Sequence, residues 1–241
     1  MTELPGAARL TRRIGAVLGV RPGPAWWWML ALLVAVVLGS FGVRLAVDMP
    51  NVVAGTVPGP DAFEQRYALH PLAAYAHIVP GVVYLLGAPL QLSHRFRSRH
   101  MAVHRRLGRA VLAAGLIAGV AAIVVGVWFP YGGTLEAGAA VAFGAWFVVA
   151  LVLAYRAVRR RDVARHRRFM IRAFAVGLAV GTARVWIGIF QSVGVLAIQH
   201  NTGRPWFGVA FWLALVIHAV VAEAYLAARP TVTGRTNLAT P

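Results

Sequence analysis

Cysteine and lysine are both absent from this 241-residue chain, and acids are scarce, seven against 24 arginines. Without cysteine there is no disulfide, no thiolate metal site and no iron–sulfur cluster. The chain also lacks a phosphate-cradling glycine loop, a nucleophile elbow and a paired-carboxylate arrangement, which sets hydrolytic mechanisms aside. Charged residues of both signs make up 13% of the chain and apolar residues 59%, with a mean hydropathy of +0.69. A soluble domain carries about 25% charge and about 45–50% apolar residues, so an ordinary soluble fold is excluded.

What occupies the place of charge is a set of apolar stretches at residues 25–47, 71–92, 110–129, 135–157, 169–197 and 206–228. At about 1.5 Å rise per residue, even the shortest covers a hydrocarbon core of about 30 Å. The composition therefore predicts an all-α polytopic membrane bundle of six transmembrane helices, occupying residues 25–228. Arg12 and Arg13 precede the first stretch as they would a signal peptide. That stretch is too long for a signal h-region, however, and Pro22 and Pro24 intervene, so it reads as a span.

The arginines sort by loop. Four precede the first stretch, six lie between the second and third, eight lie between or cap the fourth and fifth, and two follow the sixth. That places 20 of 24 on one side. The opposite side holds Arg66 and Arg204 with Asp48, Asp61, Glu64 and Glu136, while Arg44 and Arg184 fall inside apolar stretches. Basic residues in short loops stay cytoplasmic, which predicts both termini inside. The net charge of +17 then reads as contact with membrane lipids, anionic head groups meeting the cytoplasmic arginines, and not as nucleic-acid binding. Residues 1–24 form a cytoplasmic segment in which Leu10, Ile14, Val17 and Leu18 recur at helical spacing opposite arginines, as in an interfacial amphipathic helix. Residues 229–241 read as a disordered cytoplasmic tail. Residues 49–70 read as a loop with a short helix, capped by Asp61 with Glu64.

Two helices carry polar residues in register. In the second span His70, His77, Tyr84 and Gln91 recur every seven residues, with Gly81 and Ala88 between them, so a polar stripe with small residues crosses the membrane. Such a face either packs against neighbours or lines a polar pocket. The fifth span places Gly177, Gly181, Arg184, Gly188 and Gln191 on one face. An arginine at that depth costs about 2.5–3.5 kcal/mol and requires a partner. Measured from the cytoplasmic ends, Arg184 lies about 20 Å deep, near Tyr84, His77 and His218 of the sixth span, which predicts one cluster. Glu223 stands closer to the cytoplasmic surface.

Histidines on facing helices can hold haem b. His77 with His218 forms one such pairing, and His104 with His166, both at cytoplasmic helix starts, forms another. His104-Arg105-Arg106 and His166-Arg167-Arg168 also suggest a weak parallel repeat. His100 and His104 have metal-ligand spacing, but the surrounding arginines and the lack of a carboxylate ligand argue against a divalent cation. His94, His100 and His200 read as interfacial or loop residues.

The motif set resembles a bacterial membrane family catalogued as domain of unknown function 2306. It comprises His70-Pro71, His77-Ile78, Gly81, Leu85-Leu86-Gly87 and Pro89-Leu90-Gln91. It continues through His104-Arg105 with Gly108-Arg109, His166-Arg167 with Met170-Ile171-Arg172, and Arg184, covering roughly residues 66–186. The resemblance implies a multi-pass protein of the bacterial cytoplasmic (inner) membrane and brings no activity with it. Ferric reductases and transmembrane b-type cytochromes are similar in outline only. The reading that follows is a pocket of His77, Tyr84, Arg184, Gln191 and His218 serving redox work. Haem is ligated by either histidine pair, or a quinone oxygen meets Arg184, with a membrane redox partner. In the competing reading, transport, Arg184 holds a small anion and His77 relays a proton. A third is a lipid-binding or scaffolding protein whose pocket is only packing.

Overall fold

Inside a bilayer the backbone must satisfy its own hydrogen bonds, so an apolar run becomes a helix. The computed structural model describes residues 24–59, 62–192 and 204–228. Its elements are α1 (Pro24–Ala54), α2 (Gln65–Leu69), α3 (Pro71–Leu92), α4 (His94–Arg99), α5 (Met101–Trp128), α6 (Gly133–Arg159), α7 (Val163–Ser192) and α8 (Pro205–Ala227). Six of them, all but the short α2 and α4, are long and apolar enough to cross a membrane. No strand occurs among the described residues. The chain is an all-α polytopic bundle.

Helix ends and apolar ends do not coincide. α5 begins at Met101 and α7 at Val163, ahead of residues 110 and 169 where apolarity starts, and α1 runs past residue 47 to Ala54. Arginine is a good helix former, so hydropathy marks where a helix enters lipid and not where its hydrogen bonding begins. The α6–α7 turn shows how such a junction is closed. Arg161 takes a left-handed φ of 62°, and the Asp162 carboxylate accepts the Arg165 N–H at 2.8 Å, capping α7. The helix cap expected from Asp61 involves a residue outside those described. Glu64, at the N-cap position of α2, makes no capping bond and is instead held by Arg44 at 3.2 Å. The amphipathic segment before α1, His200, the stretch beyond Ser192 and the tail after Ala228 also lie outside the described residues.

The bundle is small-residue inside and large-residue outside. Ala154, Ala173, Ala179, Ala183, Ala210 and Ala214 are fully buried, whereas Leu72 is 86% exposed and Leu32 65%. Lipid tails are as apolar as leucine, so close backbone approach and dispersion hold the helices together. α3 packs along α5, α5 along α6, and α7 along α6 and α8, while α1 leans on α3 and α7. α3 and α7 touch only briefly, and the space between them is a cavity.

A polar cavity enclosed by α1, α3, α5, α6, α7 and α8

The cavity measures about 620 Å³, within the range of small-molecule sites, about 300–1,000 Å³. His77, Tyr84, Arg184 and Gln191 line it. His218, expected with them, does not. Its Nδ1 donates to the Ala214 carbonyl at 2.9 Å, and Thr182 Oγ1 lies 3.3 Å from its Nε2. The reason is angular. Successive helical residues are about 100° apart, so Thr182 and Arg184, two positions apart, point to opposite sides of α7. Thr182 faces α8 and Arg184 faces the cavity. Depth alone suggested a cluster of four, and helix rotation divides it.

The heptad stripe of α3 follows α5 along its length. The His70 ring stacks on Phe129 with centroids 3.6 Å apart. His77 Nδ1 lies 2.9 Å from the Ala118 carbonyl. A Cβ on Gly115 would stand 2.8 Å from Tyr84 Cδ2, and one on Gly108 would stand 3.1 Å from Gln91 Oε1. His70 and Gln91 therefore serve the helix–helix contact, while His77 and Tyr84 serve both the contact and the cavity. Because a carbonyl only accepts, His77 Nδ1 carries the proton, and in the neutral ring Nε2 keeps its lone pair.

Tyr84 forms the floor. It is 2% exposed and is gripped between α5 and α7, since a Cβ on Gly177 would come within 2.8 Å of Tyr84 Cε1. Phe147 meets the ring edge-on at 5.1 Å. Its hydroxyl is buried with no hydrogen-bond partner among the described residues, an arrangement that costs about 1–3 kcal/mol unless something else supplies the bond. Trp206 Nε1, also in the lining, is in the same condition.

The end of the cavity away from the arginine-rich loops is built from charges that lie near the ends of the apolar stretches or between them. Arg66 bonds the Glu136 carboxylate at 2.9 Å and the Phe129 carbonyl at 3.4 Å. Glu136 also accepts the Gly132 N–H at 2.6 Å. The Arg66 guanidinium sits 4.1 Å from the Phe63 ring centroid and within 5.7 Å of those of Tyr67, Tyr131 and Phe207. Arg44 pairs with Asp48 at 3.3 Å and Glu64 at 3.2 Å and lies over Phe63 at 5.0 Å. Arg44, Arg66, Glu64 and Glu136 all line the cavity. The available signals were Arg44 within an apolar run and Glu136 at the start of one.

Arg184 differs from these. Its guanidinium donates to the Val180 carbonyl of its own helix at 3.0 Å, and among the described residues no carboxylate lies within ion-pair distance. Glu223 is taken by Arg172 in a two-point contact of 2.5 and 2.8 Å that ties α7 to α8. The second histidine pair lies apart from the cavity. His166 Nδ1 donates to the Ala154 carbonyl at 2.9 Å, and His104 Nδ1 is buried without a partner among the described residues. His94 and His100 are exposed, and no group of three or more metal-competent side chains occurs among the described residues.

Fold and site together define a multi-pass membrane protein with a ligand-sized cavity inside its helix bundle. The chain belongs to the family described as predicted membrane protein DUF2306, whose model matches residues 74–226. No curated protein and no solved structure matches it.

Proposed function

We propose that the protein binds a lipid-soluble quinone in this cavity and serves membrane redox chemistry through it. The observation that carries the reading is Arg184, a cation lining a mostly apolar cavity with no carboxylate within ion-pair distance among the described residues. A quinone ring is apolar except for carbonyl oxygens, which are acceptors. The lining offers donors with no strong protein partner, the Arg184 guanidinium and the Tyr84 hydroxyl, while His77 Nε2 supplies a site for exchanging a proton. A hydrogen bond from a charged donor contributes about 1.5–3 kcal/mol, or about 10–100-fold in affinity. The chain has no thiol couple, so a membrane partner would deliver the electrons.

Haem fits this cavity less well. Among the described residues His77 is the only imidazole in the lining, and His218 Nε2 faces Thr182, so a second axial nitrogen is not supplied. The test uses the full chain in nanodiscs. Solvent extraction followed by mass spectrometry is expected to recover close to one quinone per chain, and Arg184→Leu to reduce retention at least tenfold without loss of folding. A visible spectrum is taken on the same sample. A folded protein that neither retains nor rebinds quinone overturns the reading, and a stoichiometric redox-sensitive haem band would move the cofactor to His104 and His166.

A further inference from the structure

The cavity's two ends are built differently. At the end away from the arginine-rich loops, Phe63, Glu64, Arg66 and Tyr67 line the cavity, locked by the Arg44–Glu64 and Arg66–Glu136 ion pairs. Opening there would separate charges in a poorly solvated setting. On the lipid-facing side the wall is α1, whose 18-residue window is only 11% buried, less than any other span. Between α1 and α3 runs a second hollow of about 220 Å³, lined by Leu30, Ala31, Val34, Leu85, Leu86 and Pro89. Every lining side chain is apolar. Leu85 also lines the main cavity, so the two spaces share this side chain as a wall.

From this continuity we infer that the ligand is long-tailed and enters from the bilayer between α1 and α3. Its ring lies at His77 and Arg184, and its hydrocarbon tail passes Leu85 to fill the groove. The inference rests on the quinone reading and adds the tail, the route and the gate. Length follows from the helix. His77 to Leu85 spans about 12 Å along α3 and His77 to Pro89 about 18 Å, so a tail shorter than about 18 Å leaves the groove unfilled. The groove has no polar side chain with which to hold a head group, whereas the cavity has several, and this polarity fixes which end goes where. The half of α1 beside the groove suits a gate, because the ion pair that holds this helix lies at its other end, where Arg44 meets Glu64. Leu30 and Val37 are the buried hydrophobic side chains of α1 among the described residues.

The experiment compares two probes on the full chain in nanodiscs, a tail-less benzoquinone and the same ring bearing a long isoprenoid tail. In the wild type the tailed ring is expected to bind at least tenfold more tightly, after correction for partitioning into lipid. Ala31→Trp fills the groove without touching the main cavity. It should weaken the tailed ring at least tenfold and leave the tail-less ring within twofold, which also certifies the fold. A second variant exploits the absence of cysteine. Ala31→Cys with Leu86→Cys, bridged by a bismaleimide, should slow exchange of the tailed ring at least tenfold. Equal binding of the tailed ring to Ala31→Trp and wild type, or unchanged exchange after bridging, overturns the tail and gate while the ring site stands. Failure of both rings to bind the wild type removes the quinone reading and this inference with it.

Discussion

Removing either partner of the Arg66–Glu136 pair should destabilise the bundle strongly, and removing both should cost less than removing either one. The side chains are 12% and 8% exposed with Nη1 2.9 Å from Oε1. Arg66→Leu leaves the Glu136 carboxylate buried with only the Gly132 N–H. Glu136→Leu leaves the guanidinium with the Phe129 carbonyl and its surrounding rings. Stranding one charge of a buried pair costs about 3–5 kcal/mol, whereas an apolar replacement of both partners is often near neutral. The cage retains part of its attraction for a lone guanidinium, about 0.5–2 kcal/mol, so Arg66→Leu should be the costlier single change. The assay is a double-mutant cycle by equilibrium unfolding in mixed micelles, with retained quinone followed in parallel. If the double variant loses the sum of the two single losses to within about 0.5 kcal/mol, the sites are independent and the reasoning fails.

Four further outcomes follow from the same geometry. Tyr84→Phe should leave thermal stability unchanged or slightly raised, because the lost hydroxyl has no partner among the described residues, yet lower quinone affinity about fivefold, a neutral hydrogen bond of about 1 kcal/mol; a clear fall in the melting temperature would show that the hydroxyl is bonded within the protein. Gly115→Leu should cost about 1–3 kcal/mol by overpacking, since its Cβ would meet Leu151 Cδ1 and Tyr84 Cδ2 at 2.8 Å; unfolding midpoints of Gly115→Ala and Gly115→Leu should fall in that order. Glu223→Gln should cost about 1 kcal/mol, less than Glu136→Leu, because the Glu223 side chain is 43% exposed; equal losses in the same unfolding assay would contradict the exposure argument. Reporter fusions at Gly133 and Arg161 test the charge-derived orientation, and a cytoplasmic signal from the Gly133 fusion would reverse it.

The spans were legible because one physical demand, apolar length, produces them, and the family motifs coincide with the polar positions that the same demand makes conspicuous. His77, Tyr84, Arg184 and Gln191 stood out because polar groups at depth are costly, and the fold brings these four to one cavity. His218 was conspicuous for the same reason and faces Thr182 instead. The outer charge network was less visible. Arg66 and Glu136 are 70 residues apart, and each alone resembles an ordinary loop charge.

The sequence by itself determined how many helices cross the membrane, roughly where, and which side chains sit expensively within them, because transfer from water to lipid is scored residue by residue. Only the tertiary structure decided how each helix is turned about its axis and which distant segments meet. Those depend on packing between helices, and they separate Arg184 from His218, give Arg66 to Glu136, and leave a cavity where α3 and α7 stand apart.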